Sequence, residues 1–244
     1  MASQILPSLL ILSVTVFFLA VERLRPGRGL PHSTGWYIRA FLLNFLQLVI
    51  LGVAGITWNS FFRGHAFLFV VDWGSPILEG FFFWFIGTFV FYWWHRLRHQ
   101  GYFWRILHQI HHSPSRIETL TAFYKHPLEI AANSLLIGFI IYSLFGGSAL
   151  AGAWYAFFAA TGEYFYHTNI KTPRWMGYFI QRPEQHSIHH QLDVHHYNFG
   201  DVPLWDRLFG TFKEAEVFVP RCGFPKDNER KLMKMLLFKD VYKD

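Results

Sequence analysis

Five long apolar runs, separated by short polar segments, dominate the first two thirds of the chain. They are Ile5–Val21, Ala40–Trp58, Ile77–Trp94, Glu129–Phe145 and Ser148–Tyr166. The first two carry no charge, and the third has one acid, Glu79, near its start. At 1.5 Å rise per residue the shortest runs reach about 26 Å, close to the hydrocarbon thickness of a bilayer. Gly146-Gly147, between the last two, suits a tight helical hairpin. The pattern predicts an all-α integral membrane protein with four to five transmembrane helices. The N-terminal Met1-Ala2-Ser3-Gln4 lacks the basic start of a signal peptide, so the first run reads as a true span.

Basic residues orient these spans. Segment 22–39 holds Arg23, Arg25, Arg28 and Arg39, and segment 95–127 holds Arg96, Arg98, Arg105, Arg116 and Lys125, whereas 59–76 holds only Arg63. The positive-inside rule puts 22–39 and 95–127 in the cytoplasm and 59–76 outside. Parity sends the tail from His167 to the cytoplasm. Only 16% of the 244 residues are charged against 52% hydrophobic, which excludes disorder. The net charge of +6 fits a basic face against anionic lipid headgroups and an acidic soluble partner. It does not indicate nucleic acid, because the basic residues are dispersed around the spans and no nucleic-acid motif is present. A single cysteine, Cys222, excludes an internal disulfide framework, a cysteine zinc site and an iron–sulfur cluster.

Histidine is the residue type that changes the picture. Twelve of the 14 lie between positions 95 and 196. His95 and His99 leave the third run at i, i+4 spacing, which stacks two imidazoles on one helix face. His108, His111 and His112 repeat the device at i, i+3 and i+4, as do His186, His189 and His190. His167 stands at the end of the fifth run, in a position matching His95. Nine imidazoles on one side of the bilayer exceed the needs of one divalent ion and suit two. Imidazole fits iron, zinc, copper or nickel. The predicted fold therefore carries a cytoplasmic, histidine-rich helical cap.

The order HxxxH, HxxHH, a lone His followed by Thr168-Asn169, then HxxHH resembles the fatty acid hydroxylase/sterol desaturase superfamily of membrane di-iron oxygenases. The flanks agree: Lys125-His126-Pro127-Leu128-Glu129, Pro183-Glu184, Asn198-Phe199-Gly200, and Trp205-Asp206-Arg207-Leu208-Phe209-Gly210-Thr211-Phe212. The similarity runs from about Phe81 to Phe212. It implies that His95, His99, His108, His111, His112, His167, His186, His189 and His190 are iron ligands or their immediate neighbours, in a centre of two irons per chain. It also points to Asn198 as a catalytic candidate. Phe199 stands where the family usually has tyrosine, and Glu163 where some members have a second histidine.

Glu163, one turn before His167, reads either as a ligand or imidazole-orienting acid or as a simple salt-bridge partner. His195 and His196 follow the third box and are candidates for an additional ligand. His126, His32 and His65 read as structural or loop residues. The amphipathic Tyr102–Leu107 segment is expected in the membrane interface, and Lys231–Phe238 as an interface or docking helix. The chain is expected to be a single membrane-embedded hydroxylase domain, with N-terminal spans (1–76), a histidine-box core (77–212) and a cytoplasmic tail (213–244).

The function that follows is an O2-dependent di-iron oxygenase, hydroxylating or desaturating a C–H bond of a membrane lipid such as a sterol, fatty acyl chain or aminolipid. The chain lacks a dinucleotide fingerprint and cluster cysteines, so an external ferredoxin, cytochrome b5 or flavin reductase is implied as redox partner. Compact length points to a bacterial inner membrane before the endoplasmic reticulum. The competing readings are a zinc-dependent membrane lipid hydrolase and a non-enzymatic metal-binding membrane protein.

Overall fold

The computed structural model describes residues 2–242, so the last two residues of the predicted tail lie outside it. It is helical, with no strand among the described residues and only an isolated bridge between Gln191 and Cys222. Helix α1 (Ala2–Leu24) is followed by α2 (Thr34–Ile56), a short α3 (Trp58–Arg63) and α4 (Pro76–Arg98). A helical turn α5 (Gly101–Phe103), a π turn (Trp104–His108) and α6 (Gln109–His112) carry the chain out of the bundle. It returns through α7 (Pro127–Gly138), extended in π geometry over Phe139–Leu144, and through α8 (Ala149–His167). Three short helices close the chain: α9 (Pro183–His189), α10 (Pro203–Leu208) and α11 (Leu232–Leu236).

Four helices are long and apolar enough to cross a membrane: Ile5–Leu24, Thr34–Arg63, Pro76–Arg98 and Pro127–Leu144. The fifth apolar run forms α8, which packs between α4 and α1. Its small residues permit that position. Gly80 of α4 lies against the Ala151 carbonyl and Trp154 of α8 so closely that a Cβ would not fit, the small-residue contact by which helices approach in a bilayer. Local chemistry sets the helix starts. Proline opens α4, α7, α9 and α10, where its missing N–H costs nothing. The Ser148 hydroxyl accepts from Ala151 N at 3.1 Å and caps α8.

The basic segments 22–39 and 95–127 and the tail are joined at one end of the bundle, through Arg23–Glu118, Arg39–Glu229 and Gln109 donating to the Lys239 carbonyl. The 57–75 connection packs at the other, where Phe67, Phe69 and Val71 donate to the carbonyls of Ser143, Leu144 and Phe145. The cap is tied to the spans by buried acids. Glu22 of α1 accepts from both Thr119 N (2.8 Å) and Thr119 Oγ1 (2.7 Å). Glu118 accepts from the Trp36 indole of α2, and from Arg23 and Arg116 at 3.2 Å each. Trp36, Ile110, Tyr124, Phe224 and Met235 form a core between α2, the cap and the tail, each contributing about 1.5–3 kcal/mol by burial. The tail segment is thus half structural: Met235 of α11 is fully buried, while Met233 and Leu237 stay exposed. His126 is structural as expected. Its ring caps α7 by accepting from Leu128 N at 3.0 Å.

Candidate metal centre

The nine box histidines converge from five elements. His95 ends α4 and His99 caps it; His108 closes the π turn and His111 and His112 lie on α6. His167 is the last residue of α8, and His186 and His189 lie on α9 with His190 as its cap. The π turn, closed by Gln109 N to Trp104 O, adds a residue to the turn before the second box, a distortion frequent at functional sites. The rings sort into two adjacent groups. His95, His99, His108, His112 and His189 form one and His111, His167, His186 and His190 the other, with the ligand atoms of each within 4.8 Å of one another.

The second ring nitrogens fix what the first can do. Nδ1 of His95 meets the Phe199 carbonyl at 2.7 Å, Nδ1 of His189 the Tyr197 carbonyl at 2.8 Å, and Nδ1 of His167 the Glu163 carbonyl at 2.8 Å. A carbonyl only accepts, so in each ring Nδ1 carries the proton and Nε2 a lone pair. His186 follows suit. Gln181 donates its amide to the Asn198 carbonyl, which leaves its oxygen to accept from His186 Nδ1 at 2.7 Å. Yet His95 Nε2 lies 3.0 Å from His189 Nε2, and His167 Nε2 3.0 Å from His186 Nε2. Lone pairs that face each other at this distance without a proton repel, unless a cation sits among them. His99 and His112 keep both ring nitrogens buried without a hydrogen-bond partner, a cost that coordination removes. The donor set fits two metal ions.

Burial keeps the imidazoles neutral. Desolvation, reinforced by neighbouring imidazoles, holds His99, His108 and His112 well below the usual histidine range, with Arg98 adding to it at His99 and His108, and desolvation does the same to His111, His186 and His190. His189 is lowered to about 3 by the same burial. Neutral imidazole is the form that binds a metal.

The other sequence candidates lie around this centre. Glu163 pairs with Lys125 at 2.9 Å, while its second oxygen is 3.7 Å from His167 Nδ1. Asn198 is buried with φ +55°, and its side chain binds the backbone of Gln185 and Lys213. It therefore shapes the loop beneath the third box and does not enter either group. His195 lies outside both groups, its ring centroid 5.0 Å from that of His112, and His196 is exposed against Tyr197. Three residues have an orienting role that the sequence did not assign, although Glu129 and Asp206 stand in its family-like flanks. Glu129, fully buried, accepts from Arg98 and meets His108 Nδ1 at 3.0 Å. Gln181 orients His186. Asp206 accepts from Phe199 N and Gly200 N at 2.8 Å each, aiming the Phe199 carbonyl at His95.

A cavity of about 770 Å³ leads from the spans to the centre, ending at His95, His108, His111, His167 and His186. A smaller one of about 240 Å³ approaches from the cap side along His99, Trp104, His195 and Tyr242.

Residues 80–211, more than half of the chain, match the fatty acid hydroxylase family model, and the chain belongs to that family, within the fatty acid hydroxylase/sterol desaturase superfamily. Curated relatives include alkylglycerol monooxygenase of Caenorhabditis elegans, 30% identical over 67% of this chain and 35% of that protein. Sphinganine C4-monooxygenase 1 of Arabidopsis thaliana is 28% identical over 50% of this chain and 48% of its own. Very-long-chain aldehyde decarbonylase GL1-9 of Oryza sativa subsp. indica is 29% identical over 48% and 47%. The chain spans about half or less of the length of these relatives. No solved structure matches it significantly.

Proposed function

We propose that this protein is a membrane-bound di-iron oxygenase that hydroxylates a C–H bond of a membrane lipid. The observation that carries the reading is the pair of imidazole groups, lone pairs inward, at the end of a lipid-sized cavity. His95, His99, His108, His112 and His189 would hold one iron and His111, His167, His186 and His190 the other, with His195 in reserve beside the first. Bound iron would supply the reduction of dioxygen to an oxidant strong enough for an unactivated C–H bond. The balanced reaction takes one oxygen atom into C–OH and releases the other as water, consuming two electrons and two protons from an external donor such as a ferredoxin, cytochrome b5 or flavin reductase. Desaturation shares the first hydrogen abstraction.

The chain's own groups do the positioning. The carbonyls of Phe199, Tyr197 and Glu163, the carboxylate of Glu129 and the amide of Gln181 hold each ring in the tautomer that presents Nε2. Asn198 fixes the loop that supplies two of these acceptors. Cavity walls exclude water and place one carbon near the centre. The names of the relatives, an alkylglycerol and a sphinganine monooxygenase, support lipid monooxygenation.

The test is turnover under labelled dioxygen. The lipid product should gain one oxygen atom carrying the label, and only with reductant. An oxygen drawn from water, or turnover without dioxygen, contradicts the reading and favours a hydrolase. The centre is proposed to face the cytoplasm, of a bacterial inner membrane in the first instance. A cysteine at exposed Ser60 should then be labelled from outside and one at exposed Ser115 only from inside. Native Cys222 is buried and gives little background. External labelling at Ser115 would overturn this orientation.

A further inference from the structure

The chain on either side of the third box carries an apolar surface that neither the cavities nor the histidine centre uses. It begins at the 3₁₀ turn Arg174–Tyr178 and ends at α10, and the two lie against each other. Trp175, Tyr178, Phe179, Leu204 and Leu208 are all exposed there. A group of large apolar side chains left open in this way marks an interaction surface. What the two segments rest on identifies the partner.

Helix α10 packs on the side of a membrane span. Trp205 sits against Phe85 and Phe89 of α4, with ring centroids 5.7 and 5.0 Å apart, and its indole donates to Thr88 Oγ1 at 2.9 Å. Phe85 and Phe89 are themselves exposed on the outer face of that span. Helix α4 has 23 residues and rises about 34 Å, against roughly 30 Å of hydrocarbon in a bilayer. Thr88 lies about 15 Å below Arg98, the end of the helix. If all the excess length stood clear of the bilayer at that end, Thr88 would still be about 10 Å inside the hydrocarbon. Phe209, just after α10, rests on Phe89 and Tyr92, so the turn as well as the indole lies below the boundary. On the neighbouring side, Met176 and Ile180 pack against the cluster of Phe18 from α1 and Phe165 from α8.

A segment in hydrocarbon must satisfy its own backbone, because no water is there to do it. Asp206 meets that requirement. Its carboxylate accepts from Phe199 N and Gly200 N at 2.8 Å each and from Thr211 Oγ1 at 2.7 Å, while its carbonyl accepts from Thr211 N and Phe212 N. Pro203 opens the helix without an N–H to satisfy. The charged side chains sit as interfacial ones do. Arg207 lies 3.7 Å over the Phe212 ring and 5.6 Å from that of Tyr178, an arrangement in which the stem stays on apolar surface while the head reaches for water. Lys171 and Arg174 are exposed beside Trp175, where anionic headgroups would meet them.

We infer that the 174–180 segment and α10 form a wedge immersed in the lipid leaflet beside the histidine centre, with the acyl chains of that leaflet as its partner. The inference stands apart from the oxygenase reading, because it needs only that α4 spans a bilayer. It makes the membrane a support for the third box. Gln181, which orients His186, directly follows the first segment, and Asp206, which aims the Phe199 carbonyl at His95, lies on α10.

The test places a spin label on the full chain in nanodiscs of phosphatidylcholine and phosphatidylglycerol. Phe179→Cys and Leu208→Cys report on the wedge, Val16→Cys on the exposed face of α1 serves as the lipid control, and Glu216→Cys as the water control. Collision with oxygen, which concentrates in lipid, is compared with collision with a water-soluble nickel chelate. The oxygen-to-nickel ratio at Phe179→Cys and Leu208→Cys should approach that of Val16→Cys and exceed that of Glu216→Cys at least about fivefold. A ratio like that of Glu216→Cys overturns the inference by leaving the surface in water. Low collision with both reagents overturns it too, since a second copy or a protein partner would then cover the surface. The native chain gives an independent reading. A phospholipid with a photoreactive group in its acyl chain should cross-link to peptides spanning 174–180 and 203–209; absence of cross-links there, with α1 still labelled, would also overturn the inference.

Discussion

The two histidine groups are neighbours, yet they are held in different ways. The five-member group is anchored by two backbone carbonyls and by Glu129, a carboxylate that also holds Arg98. The four-member group leans on one backbone carbonyl and on the neutral amide of Gln181. The first touches both cavities, through His95 and His108 on the membrane side and His99 on the cap side; the second touches only the membrane cavity. A charged anchor raises the basicity of its imidazole more than an amide does. The groups therefore differ in how the loss of an anchor should affect the fold.

The largest expected effect comes from removing a ring. His189→Ala in the five-member group and His111→Ala in the four-member group should each abolish activity. Each should lower bound iron by about one ion, since each empties one of two sites suited to imidazole-bound metal. His65→Ala, at the opposite end of the bundle and stacked on Phe61, should do neither. Equal and complete metal loss in both variants would show that the groups are not separate sites.

Removing an anchor should be milder and should expose the asymmetry. Glu129→Gln is expected to cut metal affinity or activity 10–100-fold and to cost about 3–5 kcal/mol of stability, because it strands buried Arg98. Gln181→Ala should cost a similar factor in activity but only about 1–3 kcal/mol, read by thermal denaturation. Reversal of the two stabilities would contradict the assignment of Glu129 as the charged anchor.

Acid should not separate the groups. A histidine lowered from 6.5 to about 3, as His189 is, is neutral when folded and protonated when unfolded throughout that interval. The unfolded chain then binds more protons, so stability is complete above about pH 6.5 and falls as pH drops toward 3. Both groups share the depression, and metal release and unfolding should begin together below about pH 6.5. Loss of one ion at mild acidity with the other retained would break this symmetry. The smallest effect on the centre itself is expected at Asn198. Asn198→Ala removes its side-chain bonds to Gln185 and Lys213 and leaves a left-handed backbone without its favoured residue, at about 2–3 kcal/mol. It should reduce activity without changing the metal count.

The histidines were legible because their chemistry is local: i, i+3 and i+4 spacings write themselves into the sequence, and the apolar runs do the same for the spans. The anchors were not. Glu129 lies in the first turn of an apolar helix and stands out only as the end of the Lys125–Glu129 flank, and Gln181 carries no pattern at all. Each meaning depends on a partner brought up by the fold, His108 21 residues away and His186 held across a turn. The π turn before the second box is equally silent, since Trp104–His108 has an ordinary amphipathic look. Met235 illustrates the reverse case. Its basic and apolar neighbours suggest a surface helix, and only the packing with Trp36 and Tyr124 makes it core.

Metal content tests the central claim most directly. Protein made in iron-replete cells and purified active should hold close to two irons per chain by elemental analysis, because each of the two convergent sets of neutral imidazoles would take one cation. One tightly held zinc and no iron in active protein would contradict it.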